Sequence, residues 1–301
     1  MKYKICQVCF GAQFGVGYKR NKQRKDLGML PVNFLVVRHG ESVGNLAKRM
    51  SEGGDNSLLQ RLRKTHTAHW PLTKKGREQA KKTGEFLNTM ISEQDLHFDR
   101  MYVSSYARAM MTAGGLCLAD ASWLIDTRIT ERDWGTFDRY TDEERREQFG
   151  EVLDMRDVEP FFWAPPEGET FNNLIIRIRD FIASVARINL ENVIVVCHGE
   201  VMKAFRIVFM QMTPWDYAKM EFSKESLDRV HNCQIDHYSR RDPSTHQLMD
   251  RLEWFQVYRP FEVDDGTPVI PWKKLNRRRF GSDDLLAVAG KLSEEFKGLG
   301  V

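Results

Sequence analysis

The chain predicts an α/β protein, a three-layer α/β/α sandwich with a mainly parallel sheet. Three observations carry this expectation. Residues 32–37 (VNFLVV) and 192–197 (NVIVVC) are apolar runs of strand length. Each run leads into a histidine–glycine step, His39-Gly40 and His198-Gly199. Between them strand-like and helix-like patterns alternate, which implies parallel strands with helices on both faces. Ligands of such open sheets bind at the carboxyl ends of the strands. Two strand–histidine junctions therefore predict two imidazoles over one shared site.

The elements follow in order. Residues 1–31 precede the first strand and read as an extension, basic from Lys19 to Lys25 and closed by Pro31. Residues 46–71 are polar and contain glycine, and read as a long loop or short helical insertion. Thr73 is the natural N-cap of a helix running to about Ser92. Residues 98–105 read as a strand, 107–118 as a helix and 123–129 as a short strand. Residues 169–188 form an amphipathic helix, because Phe171, Leu174, Ile175, Ile178, Phe181, Ile182 and Val185 recur at helical spacing. A helix over 201–210 and strands near 233–238 and 252–258 complete a catalytic domain spanning 32–260. Residues 261–301 read as a basic tail, with a last helix over 283–296 capped by Ser282.

Composition narrows the function classes. The 301 residues are 42% hydrophobic and 29% charged, ordinary for a globular protein. No apolar run approaches the roughly 20 residues of a membrane span. The first residues, Met1 to Cys6, lack the apolar core of a signal peptide. A net charge of +3 gives no reason to expect a nucleic-acid partner. The five cysteines form no framework, which fits a reducing, cytoplasmic setting. Cys6 and Cys9 are half of a zinc knuckle with no second pair at finger spacing, and read as ordinary thiols. Neither cofactor nor metal is expected, and the sequence is silent on oligomeric state.

Four segments are candidates to converge on an anion: Arg38-His39, Arg108 after the strand that ends at Ser104-Ser105, Glu131-Arg132, and His198-Gly199. Two arginines, two histidines and a carboxylate suit phosphoryl transfer. Arginine forks match phosphate oxygens, a neutral imidazole is a nucleophile, and a carboxyl group protonates a leaving oxygen and then activates water. Arg132 stands open between this site and a surface ion pair. Glu41 and Glu200 read as orienting or solvent-facing, His66 and His69 as bland residues of the insertion. Lys273, Lys274 and Arg277–Arg279 read as a solvated basic face. Phe161, Phe162 and Trp163 either shape the pocket or pack a lid.

In its motifs the chain resembles the histidine phosphatase superfamily, in its phosphoglycerate-mutase-like branch, over about residues 32–240. Arg38-His39-Gly40-Glu41-Ser42-x-x-Asn45 is similar to the family signature, and Leu72-Thr73-x-x-Gly76-x-x-Gln79-Ala80 to the helix that follows it. Ser104-Ser105-x-x-Arg108-Ala109-x-x-Thr112-Ala113 resembles the second arginine block, Glu131-Arg132-x-Trp134-Gly135 the acid block, Pro166-Glu167-Gly168-Glu169-Thr170 the loop before a helix, and Cys197-His198-Gly199 the closing histidine. The resemblance implies that His39 is the nucleophile and Glu131 the proton donor. It implies that Arg38, Arg108 and His198 hold phosphoryl oxygens, with Asn45, the Gly199 amide and Ser42 as further substrate contacts.

The expected function is hydrolysis of a small phosphorylated metabolite through a phosphohistidine. A phosphoglycerate-mutase-type phosphotransferase is the alternative, and a non-catalytic binding protein of the same fold a further one. In a mutase a lysine is expected past the acid block and an arginine pair before the proline-rich segment. Here those stretches read Thr136-Phe137-Asp138-Arg139-Tyr140-Thr141-Asp142 and Phe161-Phe162-Trp163-Ala164. Both departures favour the phosphatase, although the Glu-Arg-x-Trp-Gly block itself is mutase-like.

Overall fold

In the computed structural model, seven strands form one sheet: β1 (Asn33–Arg38), β2 (Arg100–Val103), β3 (Trp123–Ile125), β4 (Asn192–Cys197), β5 (Ile235–Ser239), β6 (Trp254–Tyr258) and β7 (Ile270–Lys274). The structure describes residues 28–225, 228–263 and 266–293. The strand order is β3-β2-β4-β1-β5-β6-β7. β1 to β4 are parallel to one another, and β5, β6 and β7 add antiparallel ladders. The sheet is thus mixed overall, with its parallel half under the site.

Strand alternation creates two cores. Phe34 and Val36 of β1 face one side with Val193 and Val195 of β4, and there they meet helices α6 (Phe171–Ala186) and α7 (Gly199–Met210). Leu35, Val37, Ile194 and Val196 face the other side and meet α3 (Lys74–Gln94) and α4 (Ala107–Gly115). A residue spacing of two puts successive side chains on opposite faces, so one apolar run feeds both cores. Six of the seven predicted apolar positions of α6 are buried; Ile182 is partly buried against the same core. Each fully buried side chain of this size stabilises the fold by about 1.5–3 kcal/mol.

Thr73 caps α3, accepting from the Gly76 amide at 3.0 Å. The close approach of this helix start to the first motif demands glycine at two points. A Cβ on Gly40 would lie 2.4 Å from the Gly76 carbonyl oxygen, and one on Gly76 would lie 2.1 Å from that of Glu41.

Several expectations need correction. For residues 46–71 the helical alternative holds and the loop one does not: the stretch contains most of α1 (Val43–Glu52), then α2 (Ser57–Leu62) and a short 3₁₀ turn at Thr67–His69. Two helices went unpredicted, α5 (Asp142–Val158) and α8 (Pro214–Phe222). The stretch assigned to a tail supplies β7, paired to β6, and buries Leu275 in the main core. Arg277 donates to the carbonyls of Phe209 and Leu252 and pairs with Glu253, so it is a structural residue rather than part of a solvated face. The last helix, α9 (Ser282–Leu292), is capped by Gly281 and not by Ser282. The Cys6–Cys9 pair and the basic stretch at 19–25 lie outside the described residues.

Candidate active site

The carboxyl ends of β1, β2 and β4 meet beneath one cleft of about 510 Å³. His39 follows β1 and His198 follows β4. β1 pairs with β4 in register, Arg38 opposite Cys197, and the His39 amide donates to the Cys197 carbonyl at 2.9 Å. That pairing sets the two rings 5.2 Å apart, centre to centre. Both histidines are buried, at 2% and 0% exposure.

The tautomer of His39 follows from its partners. Nδ1 lies 2.7 Å from the Gly40 carbonyl, which can only accept. Nε2 accepts from Arg108 Nε at 3.2 Å, which can only donate. The proton therefore sits on Nδ1 and the lone pair on Nε2. Burial, with Arg108 and Arg38 alongside, holds the His39 pKa well below the ordinary histidine value. Burial, Arg108 and His39 do the same to His198. Both imidazoles are neutral at neutral pH.

Arg108 is presented by the first turn of α4. Its Nη1 donates to the Thr67 carbonyl at 2.7 Å, so the insertion holds this arginine in place. Arg38 reaches across to the Val230 carbonyl at 2.5 Å through Nη1, while its buried Nε has no partner. His198 Nε2 contacts the Ser104 hydroxyl at 2.7 Å, and its Nδ1 is likewise buried without a partner. Unpaired buried polar atoms are costly, and at a cleft they mark where a ligand completes the bonding. Gly199 opens α7, whose amino end adds a favourable dipole for an anion; a Cβ on Gly199 would lie 3.5 Å from Arg38 Nε.

Glu131 stands on the loop after a 3₁₀ turn at Thr127–Ile129, half-buried. Burial and the charge of Glu200 raise its pKa, against the opposing pull of Arg108 and Arg38. Donor atoms of His39, Glu131 and His198 all lie within 4.8 Å of one another. By residue type this trio could hold a divalent cation. The two guanidiniums beside it oppose a cation and favour an anion.

Asn45 and Ser42 both line the cleft. Ser42 is engaged as the N-cap of α1: it accepts from the Asn45 amide at 3.2 Å, and the Asn45 side-chain oxygen accepts back from the Ser42 amide at 3.1 Å. That orientation leaves the Asn45 side-chain nitrogen as the group offered to a ligand. All eight residues singled out in the sequence therefore gather at one cleft or its buried floor.

Other readings change. Arg132 is 2% exposed, not a surface residue. It donates to the Glu169 and Trp163 carbonyls at 2.9 and 2.8 Å, and its guanidinium lies 4.9 Å from the Trp134 ring centre. Phe161 and Trp163 pack inside and Phe162 is exposed; none of the three lines the cleft. Glu41 keeps its orienting reading and not the solvent-facing one: it is buried, bound by Thr73 at 2.8 Å and Arg49 at 2.8 Å, and so ties the first motif to α1 and α3. Sequence reasoning missed Thr67, Tyr106 and Asp138. Tyr106 lies edge-on 5.1 Å from His198 and 4.8 Å under the Arg108 guanidinium. Its place between Ser104 and Arg108 was the available signal; Thr67 and Asp138 carried none that the pattern could reveal.

A model of the histidine phosphatase superfamily, branch 1, matches residues 34–234. The human 6-phosphofructo-2-kinase/fructose-2,6-bisphosphatase 4 is 25% identical over 241 residues, covering 79% of this chain and 46% of that protein. The Gallus gallus 6-phosphofructo-2-kinase/fructose-2,6-bisphosphatase is 30% identical over 180 residues, covering 60% of this chain and 33% of that protein. The chain thus spans less than half the length of these curated relatives. Among solved structures, a putative alpha-ribazole-5'-P phosphatase from Escherichia coli superposes with a TM-score of 0.54 at 21% identity, covering 73% of this chain and 96% of that one. Bacillus stearothermophilus YhfR superposes with a TM-score of 0.54 at 24% identity, covering 72% and 94%. These likenesses show the fold.

Proposed function

The chain belongs to the histidine phosphatase superfamily, and we propose that it hydrolyses phosphomonoesters of small metabolites through a phosphohistidine at His39. One observation carries this reading. The unprotonated Nε2 of His39, engaged only by the Arg108 donation, stands with donor atoms of His198 and Glu131 within 4.8 Å of one another, beside the Arg38 and Arg108 guanidiniums. That arrangement suits a phosphoryl group.

In the first step Nε2 of His39 attacks phosphorus, and the bond to the ester oxygen breaks. Glu131 delivers its proton to the departing oxygen. Arg38, Arg108, His198, the Asn45 side chain and the Gly199 amide hold the three phosphoryl oxygens, with Ser42 aiming Asn45. In the second step the Glu131 carboxylate takes a proton from water, the oxygen attacks the phosphorus, and the N–P bond breaks to release phosphate. The positive charge that metal ions provide in other phosphoryl-transfer enzymes comes here from the two arginines.

A cytoplasmic location belongs to the same proposal. Among the described residues Cys117, Cys197 and Cys233 are free thiols, and no helix is long and apolar enough to cross a membrane. Residues 32–260 are proposed as the catalytic domain, with the sheet extended by β7.

The test is turnover of a chromogenic aryl phosphate together with trapping of an acid-labile, alkali-stable phosphoenzyme. Turnover with neither phosphoenzyme nor dependence on His39 would exclude the mechanism. A phosphoenzyme that passes its phosphoryl group to a phosphoacid faster than to water would make the chain a mutase.

A further inference from the structure

Of the carboxyl groups that line the cleft besides Glu131, Asp138 is one that the proposed reaction leaves unassigned. Asp138 lies in a 3₁₀ turn, Gly135–Arg139, and lines the same cleft as His39, Arg108 and Glu131. It is half-buried. Its surroundings come from several elements. Arg108 acts on it from α4, Arg145 from α5 and Asp133 from its own loop, and the Thr67 side chain of the insertion hydrogen-bonds it. Tyr106, before α4, feels its charge in turn. α2 packs on the same turn, and its neighbour Arg63 is held by Glu144.

Thr67 connects two charges. Its carbonyl accepts from Arg108 Nη1 at 2.7 Å, and its side chain meets the Asp138 carboxyl. Asp138 is thus a partial counter-charge to an arginine that must also bind the phosphoryl dianion. A dianion and an ionised Asp138 both draw on the positive field of Arg108 and repel each other across the cleft. This repulsion is relieved when Asp138 takes up a proton.

We propose that Asp138 is an affinity-determining residue of the phosphoryl site: protonated, it lets the cleft hold a tetrahedral dianion tightly, and ionised, it loosens that dianion and speeds its release. The proposal rests on the assignment of the cleft as a phosphoryl site. Burial raises the Asp138 pKa to about 6, against the pull of Arg108, so the group changes charge close to neutral pH. The direction follows from linkage. Anion binding favours the protonated form, so tight binding is present below the pKa of the free protein and fades as pH rises through it. Glu131 contributes a parallel dependence, because its pKa is also raised.

The experiment uses sulfate, which stays a dianion from pH 5 to 8 while phosphate does not. Sulfate affinity of the full chain is measured calorimetrically and as competitive inhibition. Wild-type affinity is expected to fall with rising pH. Asp138→Asn should bind sulfate about tenfold more tightly than wild type at pH 8 and equally at pH 5. It should also take up less proton on binding, read from calorimetry in buffers of different ionisation enthalpy. Glu131→Gln removes the other titration, and the double variant should show a flat pH profile. Asp138→Asn with wild-type affinity and slope would overturn the role of Asp138. Sulfate binding that survives Arg108→Ala unchanged, or no binding by the wild type, would overturn the phosphoryl site and this inference together.

Discussion

Arg108 Nε donates to His39 Nε2 across 3.2 Å, so the arginine occupies the edge of the imidazole that attacks phosphorus in the proposed reaction. In that reaction a phosphoryl oxygen entering the cleft would take the donation over and so free the lone pair. Burial and two neighbouring guanidiniums keep the ring neutral by lowering its pKa well below 6.5. A base whose pKa is lowered stays unprotonated down to that lower pH, so the acid limb of kcat/KM should not reflect an ordinary histidine.

His39→Ala should lower kcat by at least about 10⁴-fold, because only binding and electrostatic assistance remain once a nucleophile is gone. Labelled substrate should leave no acid-labile label on the protein. Retained label would assign the nucleophile to another residue, with His198 as the first to examine. The fold should persist, since His39 makes its strand contacts through its backbone.

The buried pair Arg206–Asp236 gives a prediction about stability separate from chemistry. Arg206 Nε and Nη2 donate to the two Asp236 oxygens at 2.6 and 3.0 Å, and Asp236 has no exposure. Neither residue lines the cleft. Asp236→Ala strands a buried guanidinium, which destabilises by about 3–5 kcal/mol. The denaturation midpoint should fall accordingly, with kcat/KM of the remaining folded protein near wild type. An unchanged midpoint would mean that water reaches Arg206 and replaces the carboxylate.

Much of the site was legible because its residues sit where local sequence is most informative. His39 and His198 each follow an apolar strand and precede glycine, and strand ends can be read from a run of β-branched residues. Arg108 and Glu131 were legible from their motif blocks. α5 was missed because DEERREQFGEVLDMRDV buries no residue and shows no apolar stripe. Its capping box, Thr141 with Glu144, was the signal. α8 carried a similar one in Thr213, Pro214 and Asp216. β7 was masked by Pro271 and its lysines, which are tolerated because it is an edge strand. The link from Thr67 to Arg108 joins residues 41 apart through a backbone carbonyl, and no side-chain pattern encodes it.

Activity should persist in excess chelator. His39, Glu131 and His198 are a plausible donor trio by type, but Arg38 and Arg108 already supply positive charge at the same point. A bound cation would also occupy the lone pair of His39. The measurement is the hydrolysis rate after dialysis against chelator, with and without added divalent metal. Loss of activity restored by one metal would reassign the trio as its ligands.

Glu131 offers a test that separates proton transfer from positioning. An alkyl alkoxide leaves poorly and needs a proton as its bond to phosphorus breaks, whereas a nitrophenolate barely does. Glu131→Gln keeps the shape and removes the proton. It should lower kcat/KM about 10²- to 10⁴-fold for an alkyl phosphate and far less for a nitrophenyl phosphate. The second step behaves differently, because water activation needs the carboxylate whichever group has left. With the aryl substrate, kcat should therefore fall while kcat/KM holds, and nitrophenol should appear in a burst as phosphohistidine accumulates. The pH profile adds a sign. Burial and Glu200 raise the Glu131 pKa, so the acid form survives above the usual carboxylate range. For the alkyl substrate kcat/KM should decline as pH rises through that value, and the Gln variant should lack this decline. Equal losses on both substrates, without a burst, would leave Glu131 as a positioning group and move the donor role to another carboxyl group of the cleft wall, Asp138 or Glu200 first.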